Sequence, residues 1–171
     1  METSWRRLRQ AGINERAVPK RMLERGLLEE VAGTDSEVSA LWRKALASTR
    51  DSRNDANAPD NRYVLGYQAL LQAATAVLFC AGYRTRGAQG HHANTFHALA
   101  GLGIPGLDDV DIRSERIRKM RKLSAYEPES PAPEQIEALK ALLDRVMPPA
   151  QRWLSAQRAA ASFPSYEPRR D

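Results

Sequence analysis

The 171-residue sequence contains one cysteine and no long apolar run. The single cysteine, Cys80, excludes an intramolecular disulfide framework and suits a reducing compartment. No segment approaches the roughly 18 consecutive apolar residues that a membrane span requires. The basic N-terminus, with Arg6, Arg7 and Arg9, is not followed by an apolar signal core. We therefore expect a cytoplasmic protein without a membrane partner.

Several familiar catalytic and ligand-binding motifs are also missing. The sequence has no Gly-x-x-x-x-Gly-Lys phosphate loop and no Gly-x-Ser-x-Gly nucleophile elbow. His92 and His97 are five residues apart, off a common helical face, and the chain has no second cysteine to complete a metal site. We expect neither a metal nor another cofactor.

Helical periodicity recurs along the chain, whereas the alternation typical of strands is nearly absent. The pattern predicts an all-α, up-down helical bundle of four to five helices over 34–162. Residues 1–33, with short helical patterns over 4–10 and 19–31, are predicted to form a helical arm. The polar segment 163–171 is predicted to be a flexible tail.

Local signals give the expected helix ends. The first long helix should begin at 34–36, where Thr34, Asp35 and Ser36 precede Glu37. The second, over 60–81, is apolar around most of its circumference and should be central. A third is expected over 91–101, and a fourth from Asp108 or Asp109 to Tyr126. A fifth should begin at Pro133 or Glu134 and kink or restart at Pro148 and Pro149.

The fourth predicted helix carries the strongest concentration of charge. Six cations fall within residues 113–122: Arg113, Arg116, Arg118, Lys119, Arg121 and Lys122. Arg118, Arg121 and Lys122 share one sector of the helix. Arginine can hold a phosphate through two parallel hydrogen bonds, which favours an anion-binding face. The competing interpretation is a solvated surface.

The segment 82–92 contains glycines, two arginines and two histidines. Arg84 and Arg86 precede His91 and His92, which open the third predicted helix. Free backbone N–H groups at a helix N-terminus favour anions, and histidine is suited to proton transfer near neutral pH. The alternative is a structural or capping role.

Three segments in sequential order resemble the HEPN superfamily, small bacterial helical-bundle proteins often encoded in toxin–antitoxin and defence loci. Residues 63–87 resemble its alanine-rich helix, which often runs into a Gly-Tyr-Arg turn. Residues 89–99 resemble the histidine-started helix that follows. Residues 116–127 resemble its terminal motif, commonly an arginine, a polar residue and a histidine. The resemblance covers roughly 35–160.

The resemblance implies a dimeric domain that binds RNA or a nucleotide, and a metal-independent endoribonuclease of toxin–antitoxin type. It places the motif arginine on Arg121 and the polar residue on Lys122, while Tyr126 stands at the usual histidine. Because a phenol is a poor base at neutral pH, His91 is the expected proton-transfer group. The expected catalytic residues are Arg121, Tyr126 and His91. The expected phosphate-binding residues are Arg118, Lys122, Arg84 and Arg86.

The missing motif histidine also supports a second interpretation. The chain would then be a non-catalytic dimeric interaction or regulatory protein, such as an antitoxin or the partner of a nucleotidyltransferase. Its arm would wrap a cognate toxin or antitoxin protein. Its basic helix would meet an acidic surface.

Overall fold

The structure, a computed structural model, describes residues 17–87, 90–126, 128–159 and 161–168, with side chains omitted at 17 and 124–126. Within these ranges the chain forms a bundle of six helices with one small antiparallel sheet. The helices are α1 (Ala17–Glu24), α2 (Asp35–Ser52), α3 (Pro59–Ala81), α4 (His91–Gly101), α5 (Val110–Tyr126) and α6 (Pro133–Gln157). The strands are β1 (Leu28–Glu30) and β2 (Tyr83–Thr85). The prediction of a helical bundle is confirmed.

The start of α2 agrees with the sequence signal. Thr34 is the N-cap residue, and its hydroxyl accepts a hydrogen bond from the Glu37 backbone N–H at 3.2 Å. The Glu37 carboxylate accepts in return from the Thr34 backbone N–H at 2.8 Å. Two N–H groups that lack helical partners are thus satisfied, so the cap fixes where α2 begins.

Helix α3 lies at the centre of the bundle, as predicted. It packs against α2, α4, α5 and α6, and eleven of its residues are buried. Gly66 lets α6 approach closely, because a Cβ there would lie 2.6 Å from Cδ2 of Leu139. By length and composition α3 could cross a membrane, yet 56% of the apolar window is buried within the protein. Its apolar character is accounted for by its central position.

The segment predicted as an arm contributes to the core. Met22 of α1 and Leu28 of β1 are both buried in the main apolar cluster. The predicted helix over 19–31 ends earlier, at Glu24, because Gly26 turns the chain at a φ of 69°. Leu28 then pairs with Thr85 in the sheet. The helix expected over 4–10 lies outside the described residues.

Helix α6 continues through both prolines. The sequence predicts a kink or restart at Pro148 and Pro149, and the structure excludes the restart, because the helix continues to Gln157. Neither proline can donate a backbone hydrogen bond to the preceding turn. Pro149 is buried, and a Cβ added at Gly106 would lie 3.4 Å from its ring.

Residues 161–168, the C-terminal segment, pack along α2. Ser39 donates a hydrogen bond to the Ser162 carbonyl at 2.8 Å, and Trp42 donates one to the Pro164 carbonyl at 2.9 Å. Tyr166 is buried and donates to Asp144 of α6 at 2.6 Å. Pro164 and Tyr166, both in the segment predicted as a flexible tail, therefore have defined contacts in the structure, which a polar composition does not reveal.

Candidate functional site

Three helices bring a tyrosine, a histidine and an arginine together. Tyr67 comes from the centre of α3, His92 from the first turn of α4 and Arg121 from α5. Tyr67 is fully buried, whereas His92 and Arg121 are half-buried. We call these three residues, with His91 and Arg118, the Tyr67 cluster. It joins two of the regions that the sequence singled out.

Tyr67 and His92 form the polar centre of the cluster. The Tyr67 hydroxyl lies 3.1 Å from Nδ1 of His92, a hydrogen bond whose direction depends on the imidazole tautomer. Burial, the neighbouring His91 and the guanidinium groups of Arg121 and Arg118 lower the pKa of His92 to about 4. Burial raises the pKa of Tyr67, and the two arginines oppose that rise. At neutral pH the imidazole is therefore neutral and the phenol protonated.

Arg121 lies over the ring of Tyr67. Its Cζ is 5.2 Å from the ring centroid, within the range of a cation–π contact. Its Nε is buried and has no hydrogen-bond partner among the described residues. No ion pair joins Arg121 to an acidic side chain in the described part of the chain, whereas Arg118 lies 4.0 Å from Glu115. The charge of Arg121 is consequently less compensated than that of Arg118.

The first turn of α4 supplies the other side of the cluster. The rings of His91 and His92 lie 4.2 Å apart, edge to face. Gly90, at a φ of 84°, is the N-cap residue and has no side chain with which to cap the helix. The positive end of the helix dipole therefore lies at the same turn as both histidines.

This arrangement can hold an anion. Arg121 and Arg118 provide positive charge, and neutral His92 can donate or accept one hydrogen bond through Nε2. Its tautomer depends on Tyr67. If the phenol donates to Nδ1, then Nε2 carries the proton, and if Nδ1 donates to the phenol, then Nε2 carries the lone pair.

The remaining residues expected from the sequence lie elsewhere or are not described. Arg84 donates to Glu29 at 2.6 Å, and Arg86 lies 3.8 Å from the same carboxylate, so β1 compensates charge that was expected to bind phosphate. Lys122 is exposed on α5. The side chain of Tyr126 lies outside the described residues.

Sequence reasoning did not single out Tyr67, and it named His91 as the proton-transfer group, whereas the residue that contacts the Tyr67 hydroxyl is His92. Tyr67 stands in an apolar helical stretch, where it resembles a packing residue. A buried phenol usually has a hydrogen-bond partner, which is a signal for a polar site, but the sequence does not identify that partner. The partner comes from α4, and only the packing of α4 against α3 brings it into contact.

No family model, curated protein or solved structure matches this chain. In the described part of the chain, no group of three or more histidine, cysteine or acidic residues is placed to hold a metal ion.

Proposed function

We propose that this chain is a HEPN-like domain that binds RNA or a nucleotide through a phosphate at the Tyr67 cluster, and that it can cleave RNA without a metal. The observation that carries the proposal is the position of Arg121. Its guanidinium lies over the Tyr67 ring beside a neutral histidine, without an acidic partner among the described side chains.

Phosphate binding follows from charge and geometry. A phosphate between α4 and α5 would meet Arg121 and Arg118 on one side and the N-terminal turn of α4 on the other. Arginine donors in a partly buried site bind phosphate more strongly than fully solvated ones, because water competes less. In the tautomer that carries its proton on Nε2, His92 would donate one hydrogen bond to the phosphate; cleavage would use the other tautomer.

Cleavage would require a base that removes the proton of the ribose 2′-hydroxyl. The 2′-oxygen would then attack the adjacent phosphorus as the P–O5′ bond breaks, and the leaving 5′-oxygen would take a proton from the imidazolium or from water. When Nδ1 of His92 donates to the Tyr67 hydroxyl, Nε2 has a free lone pair and the phenol fixes the orientation of the ring. The low pKa of His92 makes it a weak base in the free protein. A bound phosphate would oppose the field of Arg121 and Arg118 and so raise that pKa, while burial, the largest cause of the lowering, would remain. The arginines would stabilise the additional negative charge of the transition state.

A cleavage assay tests this function. Purified protein is incubated with labelled total RNA and a metal chelator, beside Arg121→Gln and His92→Gln variants. We expect fragments from the wild type and strongly reduced cleavage by both variants. Wild-type protein that binds RNA without cutting it would limit the function to binding.

A different observation favours the alternative, a dimeric interaction protein. Ile112 and Leu123 of α5 are 76% and 52% exposed, the large apolar side chains that stand out on the described surface. Eleven residues apart, they lie about three turns apart on the same face. Burial of this face against a second copy would remove both from water. Light scattering tests it, because Ile112→Ser with Leu123→Ser should convert a dimer into a monomer.

A further inference from the structure

A cavity of about 490 Å³ lies between α2 and the C-terminal segment, formed by different residues from those of the Tyr67 cluster. Its size falls within the range of small-molecule sites, which is about 300 to 1,000 Å³. Leu46 and Ala47 contribute apolar surface from α2, and Tyr166 closes the opposite side. The cavity therefore offers an apolar surface to a ligand of modest size.

The polar lining of this cavity is predominantly cationic. Arg43, Arg50 and Arg53 line it, against one acidic side chain, Glu167. Arg43 and Arg50 are seven residues apart, so they lie on the same side of α2. Both are exposed, whereas the side chain of Arg53 is only 16% exposed. An anion entering from solvent would meet Arg43 and Arg50 first.

Arg53, at the end of α2, and Tyr166, in the C-terminal segment, connect the two sides of the cavity. Arg53 donates to Asp144 at 2.7 Å and to the Glu167 carbonyl at 3.1 Å. It also contacts the Tyr166 hydroxyl, and its Cζ lies 5.2 Å from the centroid of that ring. Arg53 is therefore already bonded within the protein, and these contacts fix the shape of the cavity without a ligand.

Arg50 is more readily available to a ligand. Its partner is Asp51, at 3.3 Å, and the two side chains are 79% and 51% exposed. A solvent-exposed ion pair of this kind contributes little and exchanges easily. A ligand carboxylate that is partly shielded by the cavity can therefore compete for Arg50.

We propose that this cavity binds a small organic acid, with the apolar body of the ligand against Leu46 and Ala47 and its carboxylate between Arg43 and Arg50. Arginine suits this role because its planar group can donate two hydrogen bonds to one carboxylate. The site is independent of the phosphate site at the Tyr67 cluster.

Fluorine NMR with two matched probes tests the charge requirement. The acid is 4-(trifluoromethyl)benzoate, and its neutral counterpart is 4-(trifluoromethyl)benzamide. We expect saturable binding of the acid and affinity at least about fivefold weaker for the amide, because the amide lacks the charge-assisted hydrogen bonds. Equal binding of both probes would overturn the proposal. So would the absence of acid binding at concentrations up to about 10 mM.

Variants locate the site. Arg43→Gln and Arg50→Gln should each weaken acid binding by about threefold to tenfold, as expected for loss of a partly exposed charge contact. Lys44→Gln, on the same helix but outside the lining, removes the same charge and should change affinity by less than about twofold. Ala47→Leu should fill the cavity and reduce binding by more than about tenfold with all arginines intact.

Arg121→Gln separates this site from the proposed RNA site. It should leave binding of the acid unchanged, whatever its effect on RNA. Loss of acid binding in Arg121→Gln, with retention in Arg50→Gln and Ala47→Leu, would assign the probe to the Tyr67 cluster and contradict the proposal. Circular dichroism on each variant checks that the helical fold is retained.

Discussion

The Tyr67 hydroxyl lies 3.1 Å from Nδ1 of His92, so the central helix α3 is joined through a polar contact to the first turn of α4. The guanidinium of Arg121, from α5, lies over the ring of the same tyrosine. A buried phenol, a neutral imidazole and a guanidinium thus share one site. The protonation of His92 and the charge of Arg121 are linked by proximity.

The first prediction concerns pH. The pKa of His92 falls from 6.5 to about 4 on folding, mainly through burial. The unfolded chain therefore takes up the proton first, and the free energy of unfolding should decrease as the pH falls from about 6.5 to about 4. Above that window the stability linked to His92 is fully present and does not change with pH. Denaturant unfolding at several pH values measures this decrease. His92→Gln should make this decrease shallower, and an unchanged decrease in that variant would contradict the assignment to His92.

Tyr67→Phe tests the hydrogen bond itself. The substitution keeps the ring beneath Arg121 but removes the partner of His92, and we expect a loss of about 1 kcal/mol in the free energy of unfolding. Tyr63→Phe is the matched control on the same helix. The Tyr63 hydroxyl lies 3.5 Å from the Ile117 carbonyl, a length at which a hydrogen bond is weak. Equal losses in the two variants, measured by urea unfolding, would contradict a specific role for Tyr67.

Gly33→Ala tests a close approach in the segment predicted as an arm. A Cβ at Gly33 would lie 2.8 Å from the Phe79 carbonyl oxygen, a backbone atom that cannot move without disturbing α3. We expect a destabilisation of about 1 to 3 kcal/mol, which thermal or chemical unfolding would measure. Gly87→Ala is the control, because a Cβ there meets nothing within 4 Å. Wild-type stability in Gly33→Ala would show that residues 17–33 do not pack tightly against the bundle.

Truncation tests the C-terminal segment. Removal of residues 161–171 deletes buried Tyr166 and the carbonyl partners of Ser39 and Trp42, so we expect a loss of about 3 kcal/mol or more. Removal of 169–171 alone leaves these contacts, so the difference between the two truncations isolates residues 161–168. The melting temperatures of the two truncated proteins give the comparison. Similar values would support the flexible tail that the sequence predicts.

Signals confined to neighbouring residues predicted the helices well. Thr34 and Glu37 marked the start of α2, and the apolar circumference of α3 marked it as central, because both depend on local hydrogen bonding or periodicity. Strand β1 was missed, since three residues have no useful periodicity and its partner lies 55 residues further on. Only tertiary packing makes Leu28 part of the core.

The sequence likewise singled out only some residues of the candidate site, because their meeting depends on tertiary packing. Charge density identified Arg118 and Arg121, and the histidine pair identified the start of α4. Nothing local indicates that α4 and α5 meet over Tyr67, or that Glu29 pairs with Arg84. Which cations remain available to an anion depends on their acidic neighbours in space, and those neighbours come from distant parts of the chain.

Equilibrium binding of a fluorescently labelled single-stranded RNA tests the central claim most directly. Fluorescence anisotropy would compare the wild type with Arg121→Gln and with Arg152→Gln, which removes an exposed arginine from α6. We expect Arg121→Gln to weaken binding by about tenfold or more, since it removes a partly buried phosphate contact, and Arg152→Gln by no more than about twofold. Equal affinities for the folded wild type and Arg121→Gln, or no RNA binding by the wild type, would contradict phosphate recognition at the Tyr67 cluster.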